Sequence, residues 1–420
     1  MSRLSERFGA LREREFRLLW LGQTTSVVGD GLVPVALAFA VLKDLDGSAT
    51  DLGLVLAAQT VPLVTFLLVG GIWADRLPRQ LLMVATDLVR MATQGALAVL
   101  LLTGRAELWH LIALAAAFGT AEAFFRPAST GLIPATISPG RLQQANALMG
   151  MSRSAGFVVG PAAAGLLIAL ASPGVAFAVD SVTFAVSALF LLGVRVVRPV
   201  RAEGGSFLGE LREGWDEFRS RTWLWAIVLH ATLFLFLVVA PFQVLGPLVA
   251  ERSLGGASAW ALIATAFGLG TLLGGAAALR LKPARPMLVS CCLFVLTPAP
   301  VALLALAAPA PLIAVAYAVE GAVVGFFIAL WETTLQEHIP EEKLSRVSAY
   351  DWMGSLAFLP LGFALAGPVA DAVGVATTLW VSAGWALVST LALLGVRDVR
   401  NLRRLDAGRV RATRDPVLVS

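Results

Sequence analysis

Apolar and polar positions alternate along this chain in long blocks. Twelve apolar blocks lie at approximately 17–42, 52–74, 81–102, 108–128, 143–171, 174–195, 223–249, 258–279, 286–307, 310–335, 344–370 and 374–396. A helix of about 20 apolar residues crosses the hydrocarbon core of a bilayer. The pattern therefore predicts an all-α membrane protein with twelve transmembrane helices, in two sets of six separated by a charged stretch.

Composition supports this prediction. Of the residues 58% are hydrophobic and only 14% are charged, more apolar surface than a soluble domain could cover. The basic pI of about 9.6 does not indicate nucleic acid, because the arginines cluster in particular loops and tails. Cys291 and Cys292 are adjacent within one apolar block, which is typical of packing residues rather than of a disulfide or metal site.

The positions of the basic residues predict the orientation. The outer loops carry only Lys43, Arg105 and Arg252 of the 32 Lys and Arg, and basic loops stay on the cytoplasmic side. We therefore expect a multi-pass protein of the cell membrane with both termini in the cytoplasm. The predicted regions are a cytoplasmic amphipathic lead (1–16), a six-helix bundle (17–195), a cytoplasmic linker (196–222), a second six-helix bundle (223–396) and a cytoplasmic tail (397–420).

The two bundles share an internal repeat. Ile-Pro134 recurs as Ile-Pro340, and Gly160-Pro161 recurs as Gly367-Pro368, at offsets of 206 and 207 in the numbering. Repeats of this length are typical of transporters built from homologous halves.

A compact charged segment separates the second and third apolar blocks. Gly71, Asp75, Arg76 and Arg79 give it the pattern Gly-x-x-x-Asp-Arg-x-x-Arg. This resembles the loop between helices 2 and 3 of the major facilitator superfamily, and the resemblance implies a conformational latch in which Asp75 pairs in one transport state. The alternative is a loop whose charges only keep it in the cytoplasm.

The fifth apolar block contains closely spaced small residues. Gly156, Gly160, Pro161 and Gly165 fit Gly-x-x-x-Gly-Pro followed by a further glycine, which resembles a motif of proton-driven exporters in the superfamily. Ala164 stands where the family often has a glycine. Ordinary packing of small residues between helices is the alternative explanation.

A narrower resemblance covers several segments. Ala10–Gln23, Gly29-Asp30, Ile133-Pro134 and Asp180–Phe184 are similar to the branch that contains macrolide efflux proteins and the enterobactin exporter. With the twelve helices, the resemblance covers nearly the whole chain. It implies the major facilitator fold and export of a bulky, partly apolar organic molecule.

Ionisable residues within apolar blocks are the candidate site residues, since a charge there is costly unless it has a function. The candidates for proton coupling or substrate binding are Asp30, Glu122, Glu320, His230, Arg126 and Arg153. Asp30 lies between Gly29 and Gly31, where a helix break exposes backbone groups. In the resembled fold, helices 1, 4, 7 and 10 line the cavity. Glu122 is alternatively a structural partner of Arg126 at helical spacing four, and His230 a packing residue.

These observations predict a secondary transporter that exports hydrophobic or amphiphilic molecules, such as antibiotics, by proton antiport. The alternatives are a dedicated siderophore or secondary-metabolite exporter and, more distantly, a non-transporting receptor or scaffold. We expect a small organic substrate, protons and the bilayer as partners, no nucleic acid, and a monomer. No lysine precedes Ser or Thr, so no phosphate-binding loop is present, and the three histidines are isolated, so we expect neither an enzyme nor a cofactor nor a metal.

Overall fold

The computed structural model describes residues 9–195 and 207–405. Twelve helices in these ranges are long and apolar enough to cross a membrane, which confirms the predicted fold class. They are α1 (Arg14–Asp44), α2 (Ala49–Arg76), α3 (Arg79–Leu102), α4 (Leu108–Thr136), α5 (Leu142–Leu170), α6 (Pro173–Leu192), α7 (Thr222–Leu254), α8 (Ala257–Arg280), α9 (Pro286–Ala305), α10 (Ala310–His338), α11 (Glu341–Leu356 continued by Leu359–Val373) and α12 (Val375–Gly395).

Four short elements of the described residues lie outside these spans. They are two 3-10 turns (Gly9–Arg12 and Pro139–Arg141), a linker helix (Phe207–Ser220) and a short helix (Arg397–Asn401). The predicted lead, linker and tail lie partly outside the described residues, at 1–8, 196–206 and 406–420.

Helix α1 is interrupted at the predicted place. Its first segment ends at Asp30 and the second begins at Val33. The two residues between them keep helical backbone angles and form a turn, in which the Leu32 N–H donates to the Gly29 carbonyl oxygen (2.8 Å). Pro34 lies in the first turn of the second segment, where its missing N–H costs no helical bond. The break leaves the Asp30 side chain at a helix end.

Helix α2 extends beyond its predicted end. Asp75 and Arg76 belong to its last turn, and only Leu77 and Pro78 connect it to α3. Leu77 adopts an extended conformation because the proline that follows disfavours helical geometry. The charged segment is therefore mostly helical.

The chain forms two compact units. The first comprises Met1–Arg201 with Val244–Thr265 and Phe363–Pro368, and the second comprises the rest. Within the first unit α3 packs on α4 and α6, and α1 packs on α5 and α6. Within the second unit α9 packs on α10 and α12, and α7 packs on α11 and α12. The neighbours of α1 and α3 thus recur as the neighbours of α7 and α9, at the offset of the sequence repeat.

Glycines allow close helix contacts within the first unit. A Cβ added to Gly53 of α2 would lie 2.2 Å from the Phe363 carbonyl oxygen. A Cβ added to Gly367 would lie 2.4 Å from the Cα of Thr50. Larger residues at these positions would force the backbones apart.

Candidate functional site

Helices α1 and α5 touch through glycines beside Asp30. A Cβ on Gly31 would lie 2.5 Å from the Gly156 carbonyl oxygen, and one on Gly160 would lie 2.4 Å from the Cα of Gly31. α5 remains helical through Pro161 and extends beyond this contact. A Cβ on Gly165 would lie 2.5 Å from the Cβ of Ala261. Gly156 and Gly160 therefore allow α5 to approach α1 closely beside Asp30, and Gly165 allows it to approach α8.

A buried cation faces the break. The Arg90 side chain on α3 is 2% exposed and forms an ion pair with Asp87, one turn earlier. Its Nη1 lies 4.0 Å from Oδ2 of Asp30, whose side chain is 37% exposed. One guanidinium thus faces two carboxylates. Its Nε donates to no acceptor among the described residues, so the pair with Asp87 does not use all its donors.

Two aromatic rings enclose this cation. The Arg90 guanidinium carbon lies 3.8 Å from the ring centroid of Phe125 on α4 and 4.4 Å from that of Phe184 on α6. A guanidinium over an aromatic face gains cation–π attraction, and more so when it is desolvated. Four helices of the first unit therefore contribute to one charged centre: α1, α3, α4 and α6.

A third carboxylate lies close to this centre. Asp180 on α6 is fully buried and accepts hydrogen bonds from Gln94 Nε2 (2.9 Å) and Thr183 Oγ1 (3.3 Å). A Cβ on Gly29 would lie 2.4 Å from its Oδ1, so only glycine fits before Asp30. Asp180 is thus held by neutral donors beside the Asp30 backbone.

Arg126 binds the other acid of the first unit. Its Nη2 lies 2.5 Å from Glu122 Oε1, one turn earlier on α4, and its side chain is 47% exposed. This is the structural pair that was the alternative interpretation of Glu122. Arg153 on α5 is exposed and forms no ion pair with the acids that the structure describes.

The second unit contains the other two candidates. Glu320 on α10 is 5% exposed, and its Oε2 has no hydrogen-bond partner among the described residues. His230 on α7 packs against Phe234 and Phe294, at ring distances of 5.8 and 6.2 Å. Its Nδ1 also lacks a partner within the described part of the chain.

The predicted latch is described only in part, because the Asp75 side chain lies outside the described atoms. Arg79 donates from Nη1 to the carbonyl oxygen of Gly131 (2.6 Å), so a cation caps the last turn of the main helix of α4. Arg76 is exposed, and a Cβ on Gly71 would meet nothing within 4 Å. The latch remains a prediction.

Sequence reasoning did not assign Arg90, Gln94 or Asp180 to the site. The available signal was the polar spacing of Asp87, Arg90 and Gln94, which places three polar residues on one face of an apolar helix. Asp87 and Arg90 pair within one helix, but Asp30 on another helix also faces the arginine.

Known proteins resemble this chain along most of its length. A sequence model described as "Major Facilitator Superfamily" matches residues 19–355. Macrolide efflux protein A of Streptococcus pyogenes is 24% identical over 93% of this chain and 97% of its own length. Multidrug efflux pump Tap of Mycolicibacterium fortuitum is 30% identical over 93% of this chain and 96% of its own.

Solved structures share the fold. The nucleoside transporter NupG has a TM-score of 0.70 at 15% identity, covering 90% of this chain and 98% of that one. A bacterial homologue of the iron transporter ferroportin has a TM-score of 0.68 at 17% identity, covering 91% and 98%. At these identities the similarity concerns the fold alone.

Proposed function

We propose that this chain, which belongs to the Major Facilitator Superfamily, exports hydrophobic or amphiphilic small molecules by proton antiport. The efflux proteins among its relatives support an exporter of drug-like compounds. The observation that carries the coupling is the position of Asp30, at a helix break and 4.0 Å from a buried arginine that already has an acidic partner.

The charge balance of this centre explains why Asp30 takes a proton. Asp30, Asp87 and Arg90 together carry one excess negative charge when both acids are ionised. An uncompensated charge in the membrane interior costs several kcal/mol, so the centre binds a proton readily. Asp87 is fully buried against the arginine, whereas Asp30 is partly exposed and accessible to protons.

Protonation of Asp30 changes the attraction between α1 and Arg90. The ionised carboxylate is attracted to Arg90 across the break in α1, and the neutral form loses this attraction. A proton thereby biases the equilibrium between two arrangements of α1, and alternating access follows if each arrangement opens to a different side. Both termini lie in the cytoplasm in this proposal, and protons that enter the cell down their gradient drive the substrate outward.

The substrate is neutral or cationic rather than anionic. A siderophore-type anion would need a free cation, but Arg90 is paired with Asp87 and Arg126 with Glu122. The exposed Arg153 is the remaining candidate for that alternative.

The test is efflux from proteoliposomes with and without an imposed pH gradient. Asp30→Asn mimics the protonated acid permanently, so it should abolish gradient-driven accumulation and retain exchange without a gradient. Asp30→Glu should keep part of the coupling. The matched control is Asp44→Asn, an exposed acid at the other end of α1, which should pump like the parent. Uphill pumping by Asp30→Asn would place the coupling acid elsewhere, and lack of exchange by the parent would favour a receptor or scaffold.

A further inference from the structure

Basic residues gather at one membrane face of the second unit. They lie on two segments, the connection between α8 and α9 and the stretch that begins with the short helix after α12. Four spans separate the two segments, so both lie at the same face. The basic residues, exposed apart from the half-buried Arg285, are Arg280, Lys282, Arg285, Arg397, Arg400 and Arg403. The two segments contain one acid, Asp398, so the patch is strongly positive.

These six side chains form no ion pair with an acid that the structure describes. Other basic residues of the same unit do find acids. Lys343 pairs with Glu217 (2.9 Å), and Arg404 pairs with Glu337 through its Nε (3.5 Å). The six unpaired cations are therefore available to an anion from outside the chain.

The two basic segments are held against each other. The backbone N–H of Arg404 donates to the carbonyl oxygen of Ala284 (3.0 Å), which brings Arg403 and Arg285, the adjacent residues, close together. Val399 of the short helix is fully buried and fixes that helix to the bundle. Basic residues that only set the orientation of the chain need no such fixed position. The patch is therefore a built surface of the folded protein.

Exposed leucines alternate with two of the cations. Leu279 is 79% exposed and Leu281 is 58% exposed, on either side of Arg280 and next to Lys282. Apolar side chains interleaved with basic ones at the end of a span are typical of the boundary between acyl chains and headgroups. A soluble polyanion would bind the cations and leave the leucines uncovered, whereas a phospholipid covers both.

We propose that this patch is a binding site for anionic phospholipids of the leaflet that the proposed topology places in the cytoplasm. The arginines donate to the phosphate oxygens, which guanidinium groups match in geometry, and the two leucines contact the acyl chains. Clusters of four to eight basic residues beside a membrane span bind anionic headgroups in this way. The site goes beyond the proposed transport function and does not depend on it, since Asp30 lies in the other unit.

Two lipids that differ in headgroup charge test the site. Phosphatidylglycerol and phosphatidylcholine of the same chain length are titrated against the purified full-length protein in neutral detergent, and bound lipid is counted by native mass spectrometry. The parent should prefer phosphatidylglycerol, and the preference should decrease with added salt. Because each basic residue near the surface contributes roughly fivefold, Arg397→Gln/Arg400→Gln/Arg403→Gln should weaken phosphatidylglycerol binding by about tenfold or more. Phosphatidylcholine binding should not change.

The matched control removes three charges from the opposite membrane face. Lys43, Arg105 and Arg252 are exposed there, and Lys43→Gln/Arg105→Gln/Arg252→Gln should bind phosphatidylglycerol like the parent. An equal loss of binding in this control would show that net charge alone attracts the lipid, and would overturn the site.

A second variant tests the acyl contact without changing charge. Leu279→Ser/Leu281→Ser should weaken phosphatidylglycerol binding, because the lipid loses apolar contact. Glycerophosphoglycerol, the headgroup without acyl chains, should bind the parent far more weakly than the lipid. The proposal is refuted if the parent binds the two lipids equally or if the arginine variant keeps the parental affinity. Binding of glycerophosphoglycerol or of a short RNA as tightly as the lipid would indicate a soluble phosphate ligand and would also refute it.

Discussion

The Arg90 side chain interacts with residues on four helices of the first unit. It pairs with Asp87, faces Asp30 and stacks between Phe125 and Phe184. Loss of the cation would leave Asp87 buried without compensation, which costs roughly 3–5 kcal/mol. The arginine is therefore both a structural centre and the group that senses the charge of Asp30.

Arg90→Lys separates these two roles. Lysine keeps the positive charge but loses the planar group that stacks on both rings. We expect thermal unfolding in detergent to show a loss of roughly 1–2 kcal/mol, and gradient-driven efflux to fall further than gradient-free exchange. Arg126→Lys is the control, because a half-exposed pair at spacing four contributes about 0.5 kcal/mol. Parental stability and pumping in Arg90→Lys would refute both roles.

The break at Asp30 was predictable from residues close in sequence, whereas the Asp30–Arg90 contact was not. Gly29, Gly31 and Pro34 are local signals for a helix break. The contact depends on how α1 and α3 are rotated and shifted against each other, which no short-range pattern specifies. By contrast, the pair of Glu122 and Arg126 could be offered as an alternative from the sequence, since both residues lie on one helix at spacing four.

At the scale of elements, the segment that precedes the first helix of each unit is bound to the region where the fifth helix of that unit begins. In the first unit Glu13 accepts hydrogen bonds from the backbone N–H (2.8 Å) and Oγ (2.7 Å) of Ser138 and forms an ion pair with Arg141. The Ser138 hydroxyl, its backbone N–H and the Arg141 charge lower the pKa of Glu13, despite the opposing effect of partial burial.

The second unit repeats this arrangement with residues that lie 204 or 205 positions further along the chain. Glu217 of the linker helix accepts from Lys343 (2.9 Å), and Glu213 accepts from Arg346 (2.7 Å). Burial alone would raise the pKa of Glu217, but hydrogen bonds from Lys343 and Arg221 outweigh it, and the pKa is lowered. The linker helix, expected only as a charged connection, is thus docked on the start of α11.

Glu217→Gln tests this docking. A lowered pKa means that ionised Glu217 stabilises the protein above the ordinary glutamate value of 4.5, and that this contribution disappears as the pH falls through the folded-state value. The variant should lose roughly 1 kcal/mol at pH 7 and show a flatter decline of stability below about pH 4.5. Glu213 is 64% exposed, so Glu213→Gln should change stability less. Equal losses in both variants, measured by thermal unfolding across pH, would contradict the docking.

At the scale of the whole molecule, length and hydropathy were enough to predict the twelve helices, because each span must satisfy its backbone polar groups internally. The ends of the helices were less predictable where charged residues are themselves helical. Asp75 and Arg76 continue α2, since the helix ends only before Pro78. The repeat predicted two homologous bundles but could not show that Val244–Thr265 and Phe363–Pro368 would cluster with the first unit. Those contacts depend on glycines such as Gly53 and Gly367, whose close approach is a tertiary property.

Proton movement against substrate movement tests the central claim most directly. A substrate without titratable groups, identified by a thermal-shift screen, is added outside proteoliposomes that contain the protein and a pH dye. Because inward substrate movement drives protons out in an antiporter, the parent should make the lumen alkaline, and Asp30→Asn should take up substrate without a pH change. Substrate uptake by the parent at constant lumen pH would contradict proton antiport.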